Sequence, residues 1–168
     1  MIRFFIIFLV IQVGLFAAEL TKPIQKAVVI PFTEGIAAIS AWLVKAFDDG
    51  VVASGIVIRD LDSGFAVSIQ AGCNGVEATI VLIAAMVAFP SPWKMKLIGI
   101  AVGFVAVQAM NLVRIISLFY LGQWNMTAFE WAHLYVWQAL IMLDVLIVFL
   151  IWLRYLPKPG SIEASADV

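Results

Sequence analysis

Three side chains of reactive type lie at matching distances from basic residues along the sequence. Cys73, the only cysteine, lies 21 positions before Lys94, and Arg114 lies 20 positions after Lys94. His133, the only histidine, lies 21 positions before Arg154. At about 1.5 Å of rise per helical residue each separation is roughly 30 Å, the thickness of the hydrocarbon core of a bilayer. If each separation is a helix, the cysteine, the arginine and the histidine reach the same depth.

These residue types suit acyl transfer by a cysteine nucleophile. Cys73 precedes a long apolar run and is flanked by Gly72 and Gly75, which would let a substrate backbone approach closely. A helix N-terminus and a nearby cation are expected to lower the pKa of the thiol and favour the thiolate. His133 could take the thiol proton and hand it to a leaving amine. Arg114 could stabilise an oxyanion or pair with a substrate carboxylate.

Other polar residues are placed to support these three. Asn111 lies one helical turn before Arg114, on the same face, where it could orient the guanidinium. Glu77 lies one turn after the cysteine and is a natural partner for the arginine or the histidine. A Glu77–Arg114 ion pair that only steadies the helices is an equally open interpretation. Asp144, about 16 Å deeper than the histidine, is expected to bond another helix.

The composition indicates the elements that must hold these residues. Of the 168 residues, 64% are hydrophobic and 12% are charged, and the mean hydropathy is +1.09. An ordinary soluble domain is about half apolar and a quarter charged, so the chain is an integral membrane protein and not a disordered one. A net charge of −1 without a basic stripe argues against nucleic-acid binding. One cysteine and one histidine argue against a disulfide framework or a Cys/His zinc site, and we expect neither metal nor cofactor.

We predict an all-α integral membrane protein, a single membrane domain over residues 1–168 with about four transmembrane helices. The spans are expected near residues 2–18, 72–93, 97–121 and 132–156. The first also resembles a cleavable signal peptide, which is left open as an alternative. Basic residues near the start, in the turn at 90–96 and after the last span predict that both termini are cytoplasmic, with a cytoplasmic tail over 157–168.

The segment 19–71 is then expected on the outer side, with structure of its own. Apolar residues at helical spacing predict an amphipathic helix over 32–47 that lies on or dips into the outer surface; they are Ile36, Ile39, Leu43, Ala46 and Phe47. A short fifth span is the alternative, weakened by Glu34 and Lys45. Two runs rich in β-branched residues, 51–58 and 65–69, are joined by turn formers and predict a β-hairpin leading to the cysteine.

The motifs around the reactive residues resemble those of the exosortase/archaeosortase family of membrane cysteine transpeptidases. They are Ala71-Gly72-Cys73-Asn74-Gly75 at the start of one apolar helix, Asn111-Leu112-Val113-Arg114 on the next, and His133 at the start of the one after. The likeness covers roughly residues 50–150, and the Cys-Asn-Gly-Val-Glu-Ala run is most similar to the exosortase H subfamily. The common family form has Ala-Cys-Ser-Gly at the nucleophile and more spans, so these departures suggest a compact subfamily.

The resemblance implies an enzyme of the bacterial inner (cytoplasmic) membrane that cleaves C-terminal sorting signals of exported proteins at the periplasmic face. Its substrates would carry a short motif, one transmembrane helix and a basic cluster, and the reaction would pass through an acyl-enzyme without a cofactor. Carried over to matching positions, Cys73 is the nucleophile, Arg114 the oxyanion or substrate-orienting group, and His133 the acid/base. The expected supporting residues are Asn74, Gly75, Glu77 and Asn111.

Two other classes of function remain as alternatives. A thiol-redox or quinone-linked membrane protein is weakened by the lack of a second cysteine to resolve a disulfide. A noncatalytic membrane partner or small transporter would use Arg114 and Glu77 as a structural pair. That interpretation predicts that the substitution Cys73→Ala leaves function intact.

Overall fold

The computed structural model describes residues 2–157, which are mostly helical with one small sheet. The elements in chain order are α1 (Ile2–Glu19), α2 (Lys22–Val44), β1 (Val51–Ser54), β2 (Val57–Asp60), β3 (Ala66–Ser68), α3 (Val76–Ala88), α4 (Trp93–Trp124) and α5 (Met126–Arg154). Helices α2 and α5 each contain a π-helical segment, Gln25–Val29 and Ala132–Val136. Nearly all of the predicted cytoplasmic tail lies outside the described residues.

Four of the five helices, α1, α2, α4 and α5, are long and apolar enough to cross a membrane. The predicted class, an all-α integral membrane protein with about four transmembrane helices, is therefore confirmed. The set of helices differs from the predicted one in two places. The span expected at 72–93 contains only the 13-residue α3, about 20 Å long. The helix expected at 32–47 is instead the second half of the 23-residue α2.

Proline explains why α3 is short. The helix ends at Ala88, Phe89 takes an extended conformation, and Pro90 and Pro92 follow. A proline cannot donate a helical hydrogen bond, and it drives the residue before it out of the helical region. The run is apolar for the length of a span, but the chain can be helical over little more than half of it.

Helix α3 is the central helix of the molecule and packs against α1, α4 and α5. Seven of its side chains are buried, at positions 78, 79, 80, 82, 84, 86 and 88. By contrast, many large side chains of α1 and α5 point outward, as expected for lipid-facing surfaces. Because protein surrounds α3, its length does not need to match the thickness of the bilayer.

The apolar residues that the sequence pattern indicated for this helix are divided, since Ile36 is buried in the core and others are exposed. Ala37, Ser40 and Ala41 are buried against the sheet, whereas Ile39 and Phe47 are 46% and 89% exposed. Ile36 and Val44 are buried beside these small residues, whereas Ile39 faces outward, as on a helix in contact with lipid. The predicted apolar residues therefore contribute both to the core and to the outward face.

The sheet is an antiparallel meander in the order β1-β2-β3. The run 51–58, predicted as one strand, is itself a hairpin because Gly55 has φ +57° and starts a two-residue turn between Ser54 and Val57. The predicted hairpin is thus extended to three strands. The turn from β2 to β3 is held by Asp60, whose carboxylate accepts from the Ser63 hydroxyl and from the amides of residues 62 and 63.

Two hydrophobic clusters meet where the sheet delivers the chain into α3. The first joins α2, the sheet and the distal part of α4, around Ile58 and Phe119. The second joins α3, α4 and α5, around Leu82 and Val107. Cys73 packs against the first cluster, and Ala78, five residues later, belongs to the second. The segment between β3 and α3 therefore lies between two packed cores.

Candidate active site

Cys73 lies in the connection from β3 to α3, whose shape depends on two glycines. Gly72 and Gly75 have φ of +84° and +76°, a region that residues with a Cβ rarely adopt. A Cβ on Gly75 would also lie 2.7 Å from Nε2 of Gln108 and 3.2 Å from Cγ of Asn111. Gly75 therefore allows the start of α3 to pack directly against α4.

Asn74 fixes this connection from both sides. Its Oδ1 accepts a hydrogen bond from the backbone N–H of Val76 at 3.1 Å, at the start of α3. Its Nδ2 donates to Oγ1 of Thr33 on α2 at 3.0 Å. Asn74 is 1% exposed, so these bonds are sheltered from solvent. The predicted supporting residue thus anchors the loop, and Thr33 is a partner that sequence reasoning missed.

The structure brings the three predicted reactive side chains together around one sulfur atom. Sγ of Cys73 lies 3.8 Å from Nδ1 and 3.8 Å from Nε2 of His133. Nη2 of Arg114 lies 3.7 Å from the same sulfur, and Nη1 donates to the carbonyl oxygen of Gly72 at 3.2 Å. A thiol, an imidazole and a guanidinium from three separate parts of the chain thus share one contact point.

The histidine is presented by the π-helical segment of α5. π-Helical turns are rare and occur often at functional sites. Phe129, four residues earlier, stacks on the imidazole with a centroid separation of 5.7 Å and an interplanar angle of 8°. This stacking holds the plane of the ring. The spacing of four residues on one helix was visible in the sequence, but no role was assigned to the phenylalanine.

Glu77 takes a position different from the predicted one. Its Oε1 accepts a hydrogen bond from the backbone N–H of Gly72, whose carbonyl oxygen is bound by Arg114. Within residues 2–157 no direct ion pair of Glu77 with Arg114 or His133 is found. The carboxylate and the guanidinium are linked through the two polar groups of one glycine, and both constrain the loop beside the sulfur.

The electrostatic setting of the thiol is opposite to the expectation from sequence. Burial of Cys73 raises the pKa of its thiol above the ordinary value. The positive charge of Arg114 acts in the lowering direction, and the negative charge of Glu77 raises the pKa further. The net effect keeps the resting thiol protonated. A base is then needed to generate the thiolate, and the imidazole of His133 is the adjacent candidate.

Helix α4 supports the site with a polar face spaced three residues apart: Gln108, Asn111 and Arg114. Nε2 of Gln108 donates to the carbonyl oxygen of Gly75 at 3.2 Å and to Oγ1 of Thr79 at 3.3 Å. Asn111 is fully buried, and neither atom of its amide has a partner among the described residues. It contacts the Gly75 turn and makes no bond to the guanidinium, so its predicted orienting role is not seen.

A cavity of about 170 Å³ opens beside the sulfur. It is lined by residues 67–71, by the three reactive side chains, and by apolar groups of α4 together with Phe129. A larger, apolar cavity of about 300 Å³ lies near Met86, Gly99 and Trp152, far from the thiol. Only the smaller cavity joins free space to reactive groups.

Two further acidic features lie away from the sulfur. The carboxylates of Asp48, Asp60 and Asp62 lie within 4.8 Å of one another beside the sheet, and the Ser63 hydroxyl and nearby amides lower the pKa of Asp60. Oδ2 of Asp144 is buried without a hydrogen-bond partner in the described part of the chain. The predicted bond from Asp144 to another helix is therefore not found.

Fold and site together define a multi-pass membrane protein in which a histidine and an arginine both contact one cysteine before the start of a central helix. The family model for transmembrane exosortases matches residues 2–153, and the chain belongs to this family. No curated protein and no solved structure matches the chain. Membership supports a role in membrane-associated transpeptidation and protein sorting.

Proposed function

We propose that the chain is a membrane-embedded cysteine peptidase/transpeptidase that cleaves C-terminal sorting signals of exported proteins. The observation that carries the proposal is the contact geometry at Cys73, with both ring nitrogens of His133 at 3.8 Å and a guanidinium nitrogen of Arg114 at 3.7 Å. These are the three groups that acyl transfer requires: a nucleophile, a proton carrier and a donor for developing negative charge.

The first half of the reaction forms a thioester. His133 takes the proton of the buried thiol as Sγ of Cys73 attacks the carbonyl carbon of the scissile peptide bond. The oxygen of that carbonyl gains negative charge, which the guanidinium of Arg114 and the N-terminal end of α3 stabilise. The tetrahedral intermediate collapses as the imidazolium gives its proton to the leaving amine. The C-terminal signal departs and the substrate is left as an acyl-enzyme.

The second half releases the product. An amine or water attacks the thioester carbonyl and loses its proton to the imidazole of His133. The sulfur leaves as a thiolate and regains its proton from the imidazolium, which restores the resting state of Cys73. An amine acceptor gives transpeptidation and water gives hydrolysis, with the same groups in the same roles.

The position of the site suits a substrate that is itself anchored in the membrane. The sulfur lies at the start of α3, and the basic Lys96 lies near the other end of that helix, where it bonds the Val87 carbonyl oxygen. With basic residues on the cytoplasmic side, the sulfur faces the periplasm of a bacterial inner membrane. A substrate with a motif, one span and a basic cluster would present its motif at this level.

The decisive experiment follows one exported protein of the same organism that ends in a motif, a span and a basic cluster. In the variant Cys73→Ala we expect processing of this protein to stop while the level of the membrane enzyme is unchanged. His133→Ala is expected to reduce processing at least a hundredfold, since general acid–base catalysis contributes about 10²–10⁴ in rate. A thioester between Cys73 and the substrate should be trapped and should disappear with hydroxylamine. Continued processing by Cys73→Ala contradicts the proposal.

A further inference from the structure

Strand β3 has a free edge beside the reactive sulfur. In the order β1-β2-β3 it pairs with β2 on one side only. Residues 67–70 of this strand and its extension line the cavity that also contains Cys73 and His133. The other outer strand, β1, is covered by α2. One outer strand therefore packs against a helix, and the other lies beside the cavity.

The alternation of hydrogen-bonded and non-hydrogen-bonded pairs identifies the backbone groups on the free edge. The N–H of Asp60 donates to the carbonyl of Phe65, and the N–H of Ile69 donates to the carbonyl of Ile56, each at 2.9 Å. In an antiparallel pair hydrogen-bonded positions alternate, so Val67 also directs its N–H and C=O toward β2.

The backbone groups of Ala66 and Ser68 must then point away from β2. Both residues are exposed, and within the described chain no hydrogen bond of their backbone groups is found. Two donors and two acceptors alternate along this edge. They lead toward the sulfur, because the chain reaches Cys73 five residues after Ser68.

The composition of β3 leaves this edge open to pairing. Residues 65–70 carry no charge and no proline, which are the usual features that protect a sheet edge from adding another strand. An open edge beside a nucleophile suits an extended peptide, because its backbone presents the complementary alternation of N–H and C=O groups. A lipid tail offers neither.

We propose that the substrate segment next to the scissile bond adds to β3 as a fourth strand, exchanging hydrogen bonds with the backbones of Ala66 and Ser68. This pairing places the scissile carbonyl over Sγ of Cys73, with Phe129 and His133 as the opposite wall of the cavity. It explains how one site can act on many exported proteins, since backbone groups are common to all of them. The inference rests on the proposed function and adds the mode of recognition.

The first test removes one edge donor and leaves the native ladder intact. In Ser68→Pro the lost N–H points away from β2, and proline is tolerated at such edge positions. We expect processing of the exported protein named above to fall about two- to twelvefold, the effect of one lost hydrogen bond. The rate at which a small maleimide alkylates Cys73 should change less than twofold, which reports that the cavity is intact.

Ala53→Pro is the matched control. The N–H of Leu61 donates to the carbonyl oxygen of Gly50, so every second residue from Gly50 directs its backbone groups toward β2. Ala53 lies between two such positions and therefore directs its N–H away from β2. Strand β1 packs against α2 and does not line the cavity, so processing should stay at the wild-type level. Equal losses in the two proline variants, or wild-type processing by Ser68→Pro, would overturn the proposal. So would a loss in Ser68→Ala, which keeps the amide, as large as that in Ser68→Pro.

A second test uses the wild-type enzyme and is independent of any folding defect. A synthetic peptide copying the C-terminal tail of that exported protein is made with single backbone esters, which remove one N–H at a time and keep every side chain. Strand addition predicts losses at every second position of the motif. A uniform or absent effect contradicts it. If Cys73→Ala still processes the protein, the proposed function fails; if only the alternation is absent, strand addition alone fails.

Discussion

At Cys73 two charged groups act on one thiol in opposite directions while burial sets the overall sign. Burial raises the pKa of the thiol, Arg114 opposes that shift, and Glu77 adds to it. A group with a raised pKa holds its proton to higher pH, so the thiolate forms only when the pH exceeds the ordinary range or when a base assists. Formation of the thiolate at ordinary pH therefore needs a base, and the adjacent imidazole of His133 is the candidate.

The pH dependence of alkylation tests this balance. In Glu77→Gln the raising charge is lost, so the midpoint of the pH profile for alkylation of Cys73 by iodoacetamide should move to lower pH. In Arg114→Gln the lowering charge is lost, and the midpoint should move to higher pH. Arg59→Gln, which changes an exposed arginine on β2, serves as the control. A shift in the same direction in both site variants would contradict the assignment.

The two glycines that flank the cysteine differ in what surrounds them, and stability should report the difference. In Gly72→Ala the added carbon meets open space, so only the positive φ should lower the free energy of unfolding, by about 1–2 kcal/mol. Gly75→Ala has the same backbone strain and also displaces Gln108 and Asn111, so the free energy of unfolding should fall by about 2–5 kcal/mol in total. Thermal unfolding in detergent measures both. Gly14→Ala, in a helix with open space at the added carbon, should not destabilise. Equal losses at the two flanking glycines would exclude the contact with α4.

The proximity of Cys73, Arg114 and His133 could be predicted because few polar side chains occur in this apolar chain. Comparing their spacing with the thickness of a bilayer placed the three at the same depth. Their surroundings were harder. Gln108 lies three and six residues before Asn111 and Arg114, so its place on the polar face was available from spacing. Thr33 carried no signal, because its contact with Asn74 joins parts of the chain 41 residues apart. The raised pKa of the thiol also required the packed structure, since sequence does not show burial.

Among the elements, α3 departs most from the sequence expectation, and its C-terminal end has an unusual partner. Nζ of Lys96, from the first turn of α4, donates to the carbonyl oxygen of Val87 at 2.6 Å and lies 5.0 Å from the centroid of the Trp93 ring. Lys96 is only 8% exposed. The last carbonyls of a helix lack internal partners, so this lysine completes the end of a helix that is too short to reach water by itself.

Replacing that lysine should loosen the connection between α3 and α4. Lys96→Met removes the bond to Val87 and the contact with Trp93 and keeps an apolar stem of similar length. We expect a loss of about 1–3 kcal/mol in the free energy of unfolding, measured by denaturant titration in detergent. Lys94→Met changes an exposed lysine of the same turn and should have little effect. Equal effects of the two substitutions would contradict the capping role.

The sheet and α2 show which structural details could not be predicted from the sequence pattern. One glycine, Gly55, converts a continuous β-branched run into two strands, and β-propensity does not register such a turn. In α2 the polar Thr33 and Ser40 are buried, because small side chains permit close packing and Thr33 bonds the Val29 carbonyl. Hydrophobic periodicity ranks residues by apolar character, so it did not indicate that Thr33 and Ser40 lie on the same buried face as Ile36 and Val44.

At the scale of the whole molecule, the path of α2 decides how the sheet is placed relative to the bilayer. The helix is long enough to cross, yet its second half packs on β1 and β2 and contributes to the cluster around Phe119. The proposed orientation keeps both ends of α2 on the outer side. The amino-acid pattern could not distinguish a crossing helix from one that rests on a domain of its own chain.

Cysteine labelling distinguishes the two paths. In a Cys73→Ala background, Thr21→Cys and Phe47→Cys should both react with a membrane-impermeant maleimide added outside, because both positions are exposed and the proposed orientation places them on the outer side. Tyr155→Cys, at a position 75% exposed near the other end of the molecule, should react only after permeabilisation. If just one of the first two positions is labelled from outside, α2 crosses the membrane and the proposed orientation of the sheet is wrong.

Helix α5, which contains the π-helical turn at Ala132–Val136, makes the site sensitive to the number of residues as well as to their identity. In an α-helix each residue advances the phase by about 100°, and a π-turn accommodates one residue more than an α-turn. The π-turn absorbs its extra residue within one turn, so the helix on either side keeps its phase. One residue inserted after Trp137, where α5 is regular, should instead rotate Phe129 and His133 by about 100° relative to the rest of the helix. The imidazole would then point away from the sulfur although every reactive residue is retained.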